Sequence, residues 1–327
     1  MKKLCLTVAQ YKEGEDVIKN MLSSIDTQQG VNFNDIEVLI VNDGSDVILS
    51  EPFLASFKNI KNLRYIKNEK NIGLGLTRQR GLDECDSDYI MFLDSDDLFL
   101  SAIALTTIMI NLKDGLEVLY TSWLEEVRTQ EGQTLYHIKN AETTWCHGKV
   151  FNVGFLNKNN ICFHKDLRVH EDTYFVGVVS ELSEKQLRIP DNTFLWKFME
   201  NSIVRRNNGA YIFEAMPVFL RSVELIIERL IECRSDEKKI QHKILQGLIY
   251  VFFALQSSEF AEERAAKYKI ETEKKWAKMW LRFMPYINKM SKQSFNTEYN
   301  AERTRSLPID RFENESFGVF VKRVTKA

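Results

Sequence analysis

A chain of 327 residues can bury a substantial core, and its 44% apolar and 28% charged content excludes a disordered or low-complexity protein. A formal net charge of −2 excludes a molecule that holds polyanions by bulk charge alone. The charge is uneven, however: from Ala261 onward there are 15 Lys+Arg against 9 Asp+Glu, which leaves 29 against 37 ahead of that point.

The first hundred residues alternate between strand and helix patterns. Residues 4–8 form a β-rich run. Residues 15–25 carry Val17, Ile18, Met21, Leu22 and Ile25 at helical spacing. Residues 36–41 are almost wholly apolar, as in a strand buried on both faces, and stop at the turn Asn42-Asp43-Gly44-Ser45. A short strand at 63–66, a helix at 74–82 and a buried strand at 89–93 follow, the last ended by Asp94-Ser95-Asp96-Asp97. This rhythm predicts an α/β fold with a mainly parallel sheet flanked by helices. Its strand C-termini, and so both acidic turns, should share the ligand-binding edge. Residues 116–196 mix short strands with polar turns. From about Ala215 the pattern turns helical, over 218–233, 238–256 and 259–284. The expected division is a domain over 1–210 and a mainly helical region over 211–327.

Five cysteines (Cys5, Cys85, Cys146, Cys162 and Cys233) are odd in number and lack CxxC spacing, which predicts ordinary thiols in a reducing compartment. Residues 1–8 read as a strand rather than a leader. No apolar run reaches the ~18 residues of a membrane span; the run 244–255 contains Gln246 and reads as a buried helix. A cytoplasmic protein, soluble or peripherally attached to a membrane, is expected.

The acidic turns carry the chemistry. Asp94 and Asp96, two apart at a strand end, point the same way if extended geometry persists. Such carboxylates bind Mg²⁺ or Mn²⁺ together with diphosphate oxygens. An acidic turn capping the next helix, near Ser101, is the structural alternative. Gly73 and Gly75, between the two turns, suit a loop with close approach or positive φ.

The segments "IVNDGSD", "NIGLGLTRQRGL", "YIMFLDSDD" and "CHGKVFNVGFLNKNNICFHKDLRVHEDTYF" stand in an order that resembles glycosyltransferase family 2, the inverting enzymes with the GT-A fold. The resemblance covers residues 3–205. It implies that Asp43 contacts the nucleoside, that Asp94 and Asp96 hold a Mn²⁺ or Mg²⁺ ion, and that Tyr11 lies near the nucleobase. Arg78 would brace the acidic turns or touch phosphate, an ion pair to a nearby Asp being the competing reading. Asp172 matches the family's general base, with Glu171 beside it and His170 as a hydrogen-bonding neighbour. The acidic start of a helix is the structural reading of the same pair. Arg205 and Arg206 would supply charge for the diphosphate, since Lys197 and Met199 stand where relatives carry arginines. Ala9-Gln10-Tyr11-Lys12 departs from the family's Pro-x-Tyr-Asn. His147 and His164 lack a spaced partner and read as structural.

The function implied is metal-dependent transfer of a sugar from a nucleotide donor, a UDP-sugar, to the hydroxyl of a glycan, polymer, protein or modified nucleic-acid base. One rival is a nucleotidyltransferase, which needs a glycine-rich basic loop after the first strand; Ala9-Gln10-Tyr11-Lys12-Glu13-Gly14 is too acidic for that. The other is a non-catalytic nucleotide- or sugar-binding protein. Beyond the resemblance, Trp276, Met279, Trp280 and Phe283 form one apolar helical stripe among lysines. It is expected to pack on the first domain or a second copy, with an anionic membrane or an acidic acceptor as alternatives. Residues 317–321 read as a short strand or docking tail.

Overall fold

The computed structural model describes residues 2–129, 131–200, 202, 210–305 and 315–326. It divides into two units, Met1–Met199 and Glu200–Ala327.

In the first unit, β1 (Lys2–Gln10), β2 (Ile36–Asn42), β3 (Leu63–Lys67) and β4 (Ser87–Asp94) are parallel, in the order β3-β2-β1-β4. Their near-continuous apolar runs follow from burial on both faces: every residue of β2 is buried. Helix α1 (Glu15–Asp26) packs Ile18, Met21, Leu22 and Ile25 into the core, which matches its spacing. Further along come α2 (Glu51–Leu54), α3 (Leu74–Asp83), β5 (Leu98–Phe99) and α4 (Ala104–Asn111). The sheet continues through β6 (Val118–Arg128), β7 (Thr134–Lys139), β8 (Lys149–Asn152) and β9 (Gln186–Trp196). β8 runs antiparallel to β4 and β6, β9 runs parallel to β6, and β7 is a branch on β6. α5 (Val153–Lys158) and α6 (Glu171–Leu182) complete the unit.

The chain order reverses about β1: it proceeds outward to β3 and returns to β4 on the other side. A crevice therefore opens beyond the C-terminal ends of β1 and β4, the usual ligand position in such sheets. Register fixes its rim, since Gln10 pairs with Asn42 and Ala9 with Asp94. Phe92 of β4 meets Phe151, Phe163 and Phe175 at ring distances of 5.9, 5.1 and 5.6 Å, and Phe163 stacks on Phe175 at 4.2 Å. This cluster seats α6 against the sheet and so delivers its first turn to the rim.

Glycine is required where α3 begins. Gly73 has φ +94°, a conformation L side chains rarely adopt, and a Cβ on Gly75 would lie 2.9 Å from Cβ of Glu171. Gly75→Ala is expected to lower stability by about 1–3 kcal/mol, as overpacking does. Thermal melting checks this, and an unchanged melting temperature would show that α6 yields freely.

The second unit is helical, with main helices at Met216–Glu232, Glu237–Ala254, Ala266–Ile287, Lys292–Arg305 and Phe317–Lys326. The expected stripe is covered inside this unit: Trp276, Met279 and Phe283 are buried. Trp276 donates its Nε1 hydrogen to the Leu248 carbonyl at 2.8 Å and meets the Phe320 ring at 4.9 Å. Residues 317–321 belong to a helix rather than a strand, and it docks on this unit through Phe320. Phe320 and Val324 recur at i, i+4 and are buried on one face, a tertiary contact that overrides local β propensity. The helix foreseen over 259–284 instead begins at Ala266, after two 3₁₀ turns.

Candidate active site

The first acidic turn is a structural clasp. Asp43 accepts hydrogen bonds from Asn71 Nδ2 (2.8 Å), the Ile72 amide (2.8 Å), the Gly73 amide (3.0 Å) and Asn68 Nδ2 (3.3 Å). Both oxygens thereby hold the turn that starts α3. Tyr11 follows β1 at the rim, 40% exposed.

Arg78 on α3 is buried and forked. One guanidinium nitrogen meets Asp94 Oδ1 at 2.6 Å and the other meets Glu171 Oε1 at 3.0 Å, while Nε has no partner. Burial opposes its charge, but Asp94 and then Glu171 more than offset this and raise its pKa. The end of β4 and the start of α6 are thus joined through one cation. The competing reading of Arg78, an ion pair to a nearby aspartate, describes half of this arrangement.

The carboxylates titrate apart. Burial works against the charge of Asp94, yet Arg78 holds its pKa below the usual value. Asp96 is pushed up to about 6 by burial and the adjacent Asp94 charge. Asp97 is raised well above the ordinary range by burial, then by Asp94 and Asp96. Glu171 is pushed up to about 8, first by burial and then by Asp172, against the pull of Arg78. Asp172 is raised by burial, with Arg78 opposing. Asp172 Oδ1 also accepts from the Thr173 amide at 2.7 Å. His170 caps α6 at φ +58°, strained for a residue with a Cβ, and its Nδ1 lies 3.3 Å from Thr173 Oγ1. Burial lowers its pKa to about 4, which favours the neutral ring near neutrality.

Two residues without a clear signal in the sequence join the site. The turn 94–97 runs directly into β5, which pairs with the end of β9, so it does not cap the next helix. Asp97 is fully buried; its Oδ1 accepts from the Lys197 amide at 3.1 Å. Its Oδ2 lies 3.7 Å from Nδ1 of His147 and has no hydrogen-bond partner. Burial drives the His147 pKa to about 4, leaving the imidazole neutral. Lys149, 1% exposed, pairs with Glu142 at 2.6 Å and donates to the His147 carbonyl at 3.1 Å. Histidine and lysine at the entry to β8 lie far from the acidic turn in sequence, and only the β4–β8 pairing brings them near it.

The site fits a divalent cation, because it offers hard carboxylate oxygens, one of them buried and unpaired. Asp94, Asp97 and His147 each present a ligand atom, all within 4.8 Å of one another. Asp96, expected to share the ion with Asp94, lies outside that cluster. Arg205 and Arg206 lie outside the described residues.

Comparison with known proteins agrees with this geometry. The profile of glycosyl transferase family 2 matches residues 5–152. The teichoic acid poly(glycerol phosphate) polymerase of Staphylococcus epidermidis is 29% identical over 210 residues, 60% of this chain and 28% of the polymerase. The putative glycosyltransferase EpsH of Bacillus subtilis is 34% identical over 92 residues, 28% of this chain and 25% of EpsH. The matches thus span under a third of these curated relatives. Residues 1–349 of S. aureus TarS, solved with UDP-GlcNAc, superpose with a TM-score of 0.67 at 16% identity, covering 97% of this chain and 95% of that one. That likeness shows the fold, GT-A with a helical C-terminal region. The family match thus covers the part of the chain, residues 5–152, that carries β1 to β8 and both acidic turns, and the relatives agree with a glycosyl transferase family 2 domain there.

Proposed function

We propose that this chain is an inverting, metal-dependent glycosyltransferase that moves a sugar from a UDP-sugar to an acceptor hydroxyl. The observation that carries the reading is the Arg78 fork, which ties Asp94 on the donor rim to Glu171 beside Asp172. A donor carboxylate and a candidate base thus belong to one buried electrostatic unit. TarS has been solved with UDP and with UDP-GlcNAc, which supports uridine as the donor base.

Asp172 takes the proton of the acceptor hydroxyl as oxygen attacks the anomeric carbon, and the nucleoside diphosphate leaves from the opposite face. A pKa raised by burial suits a base that works near neutrality. Glu171 keeps Arg78 in place beside Asp172. A cation in the turn 94–97 offsets charge on the departing diphosphate. Asp43 shapes the nucleoside rim through the turn it holds, with Tyr11 and Gly73 beside it. Arg205 and Arg206 are proposed for the diphosphate. The acceptor is a glycan, polymer, protein or modified base, and the site is cytoplasmic. No helix among the described residues is long and apolar enough to cross a membrane.

A calorimetry and thermal-shift panel of nucleoside diphosphates and nucleotide sugars, with and without Mn²⁺, tests the donor assignment. UDP or a UDP-sugar at a hundredfold excess over Kd is expected to stabilise the fold by about 2.7 kcal/mol. Absence of stabilisation by every nucleotide, in protein shown to be folded, overturns the donor reading.

A further inference from the structure

Helix α3 returns from the end of β3 to the start of β4, so it runs antiparallel to β1. It packs closely on that strand, since a Cβ on Gly81 would run into the side chain of Thr7. That contact fixes what lies beyond it. Cys85 comes four residues after Gly81, about 6 Å further along a helical path. Cys5 comes two residues before Thr7, about 6.6 Å back along the strand and on the same face. Both thiols are thus delivered to one place, at the edge of the sheet opposite the candidate active site. A second clasp holds them there. Cys5 lies beside Glu37 in the β1–β2 register, and Glu84 immediately precedes Cys85. Arg64 joins these two neighbours, reaching Glu37 Oε1 at 2.8 Å, the Glu84 carbonyl at 3.0 Å and Glu84 Oε2 at 3.1 Å. Cys5 is fully buried, whereas Cys85 is partly exposed, with its Sγ 3.9 Å from the Ser87 carbonyl. The Cys5 thiol donates a hydrogen bond to Cys85, and this bond, working against burial, holds the Cys85 pKa below its ordinary value. The more accessible sulfur is therefore also the better nucleophile.

We propose that Cys5 and Cys85 are a reversible redox pair, which a hydroperoxide closes into a disulfide that staples the end of α3 to β1. The Cys85 sulfur attacks one peroxide oxygen and the O–O bond breaks. The released oxyanion takes up the Cys85 thiol proton, which leaves a sulfenic acid and, from hydrogen peroxide, one water. The Cys5 sulfur then attacks the Cys85 sulfur, so that the S–S bond forms and the S–O bond breaks. The departing hydroxide takes the Cys5 proton and leaves as a second water. Two thiols are oxidised, one peroxide is reduced, and an external dithiol reverses the change. In a reducing compartment the pair rests as thiols and closes only under oxidant. Neither a nucleotide nor a metal ion takes part. The helix so fastened begins at the turn held by Asp43 and carries Arg78, so the staple braces from below the element that joins the two halves of the candidate active site.

The test treats the full, folded chain with hydrogen peroxide, in a background where the exposed thiols are removed by Cys162→Ser and Cys233→Ser. Remaining thiols are then blocked with N-ethylmaleimide, and the protein is digested and mapped by mass spectrometry without reductant. The expected product joins the Cys5 and Cys85 peptides, with a mass lower by two hydrogens, while Cys146 stays free. Dithiothreitol should restore both thiols. Closing a loop of this length should raise the midpoint of thermal unfolding by about 4–12 °C. The shift should vanish when Cys85→Ser or Cys5→Ala is added to the same background, with circular dichroism confirming the fold. Cys85→Ser, at the partly exposed position, carries this control if the buried Cys5→Ala does not fold. Three results overturn the proposal: Cys85 driven to its sulfinic acid while Cys5 stays free, either thiol joined to Cys146 instead, or both thiols still free after peroxide. A Cys5–Cys85 disulfide that leaves the midpoint unchanged or lowers it would overturn the staple.

Discussion

Asp172→Asn is expected to lower kcat by roughly 10²–10⁴-fold, the usual contribution of a positioned general base, while UDP binding stays within about threefold of wild type. The asparagine keeps the side-chain oxygen that accepts from the Thr173 amide, so the start of α6 should survive. What disappears is the ability to take a proton. The pH profile gives the second readout. A carboxylate whose pKa is raised by burial stays protonated, and inactive as a base, to higher pH than usual. The wild-type rate should therefore fall as pH drops through a value above the ordinary aspartate range. Equal loss of kcat and of UDP binding in Asp172→Asn would show a structural role, and an acid limb at the ordinary carboxylate value would place the base elsewhere.

Features that depend on neighbours in sequence were legible before the structure was known. The buried strands announce themselves by apolar runs ended by Asn-Asp-Gly-Ser and Asp-Ser-Asp-Asp, and chain direction in a parallel sheet then puts both turns at one edge. What the pattern could not supply was partnership across long separations. Arg78 was visible as a basic residue between acidic turns, but its second arm reaches Glu171, which only the packing of α6 on Phe92 brings near. Asp43 matched a nucleoside-contacting position, yet its oxygens are occupied by the turn at 71–73. His147 read as structural because no partner stands at a recognisable spacing, and the antiparallel entry of β8 beside β4 is what sets it against Asp97. The helix at Phe317–Lys326 was missed for a related reason: local β-branched and aromatic content competes with a helical face that has meaning only against Trp276.

Arg78→Met is expected to destabilise the first unit by about 3–5 kcal/mol at neutral pH, the loss typical when one partner of a buried ion pair is removed. Methionine roughly fills the volume of the aliphatic stem, so the deficit reports charge more than cavity. Asp94 and Glu171 would be left facing each other across the vacated guanidinium, Glu171 buried and Asp94 only partly exposed. The pH dependence discriminates. In wild type, Arg78 depresses the Asp94 pKa, so this group contributes stability above its unfolded value, near 3.8, that is lost as pH falls through the folded one. In Arg78→Met the Asp94 pKa should rise instead, and acidification lets the orphaned carboxylates take up protons. The difference between wild type and variant should therefore be largest near pH 8 and shrink toward pH 5. Arg78→Lys, with one compact ammonium in place of a fork, should fall between the two, since it cannot reach both oxygens at once. Urea denaturation at several pH values measures this directly. A deficit that does not change with pH would mean that Arg78 supports the fold by packing, and that the link from the donor rim to the base is not electrostatic.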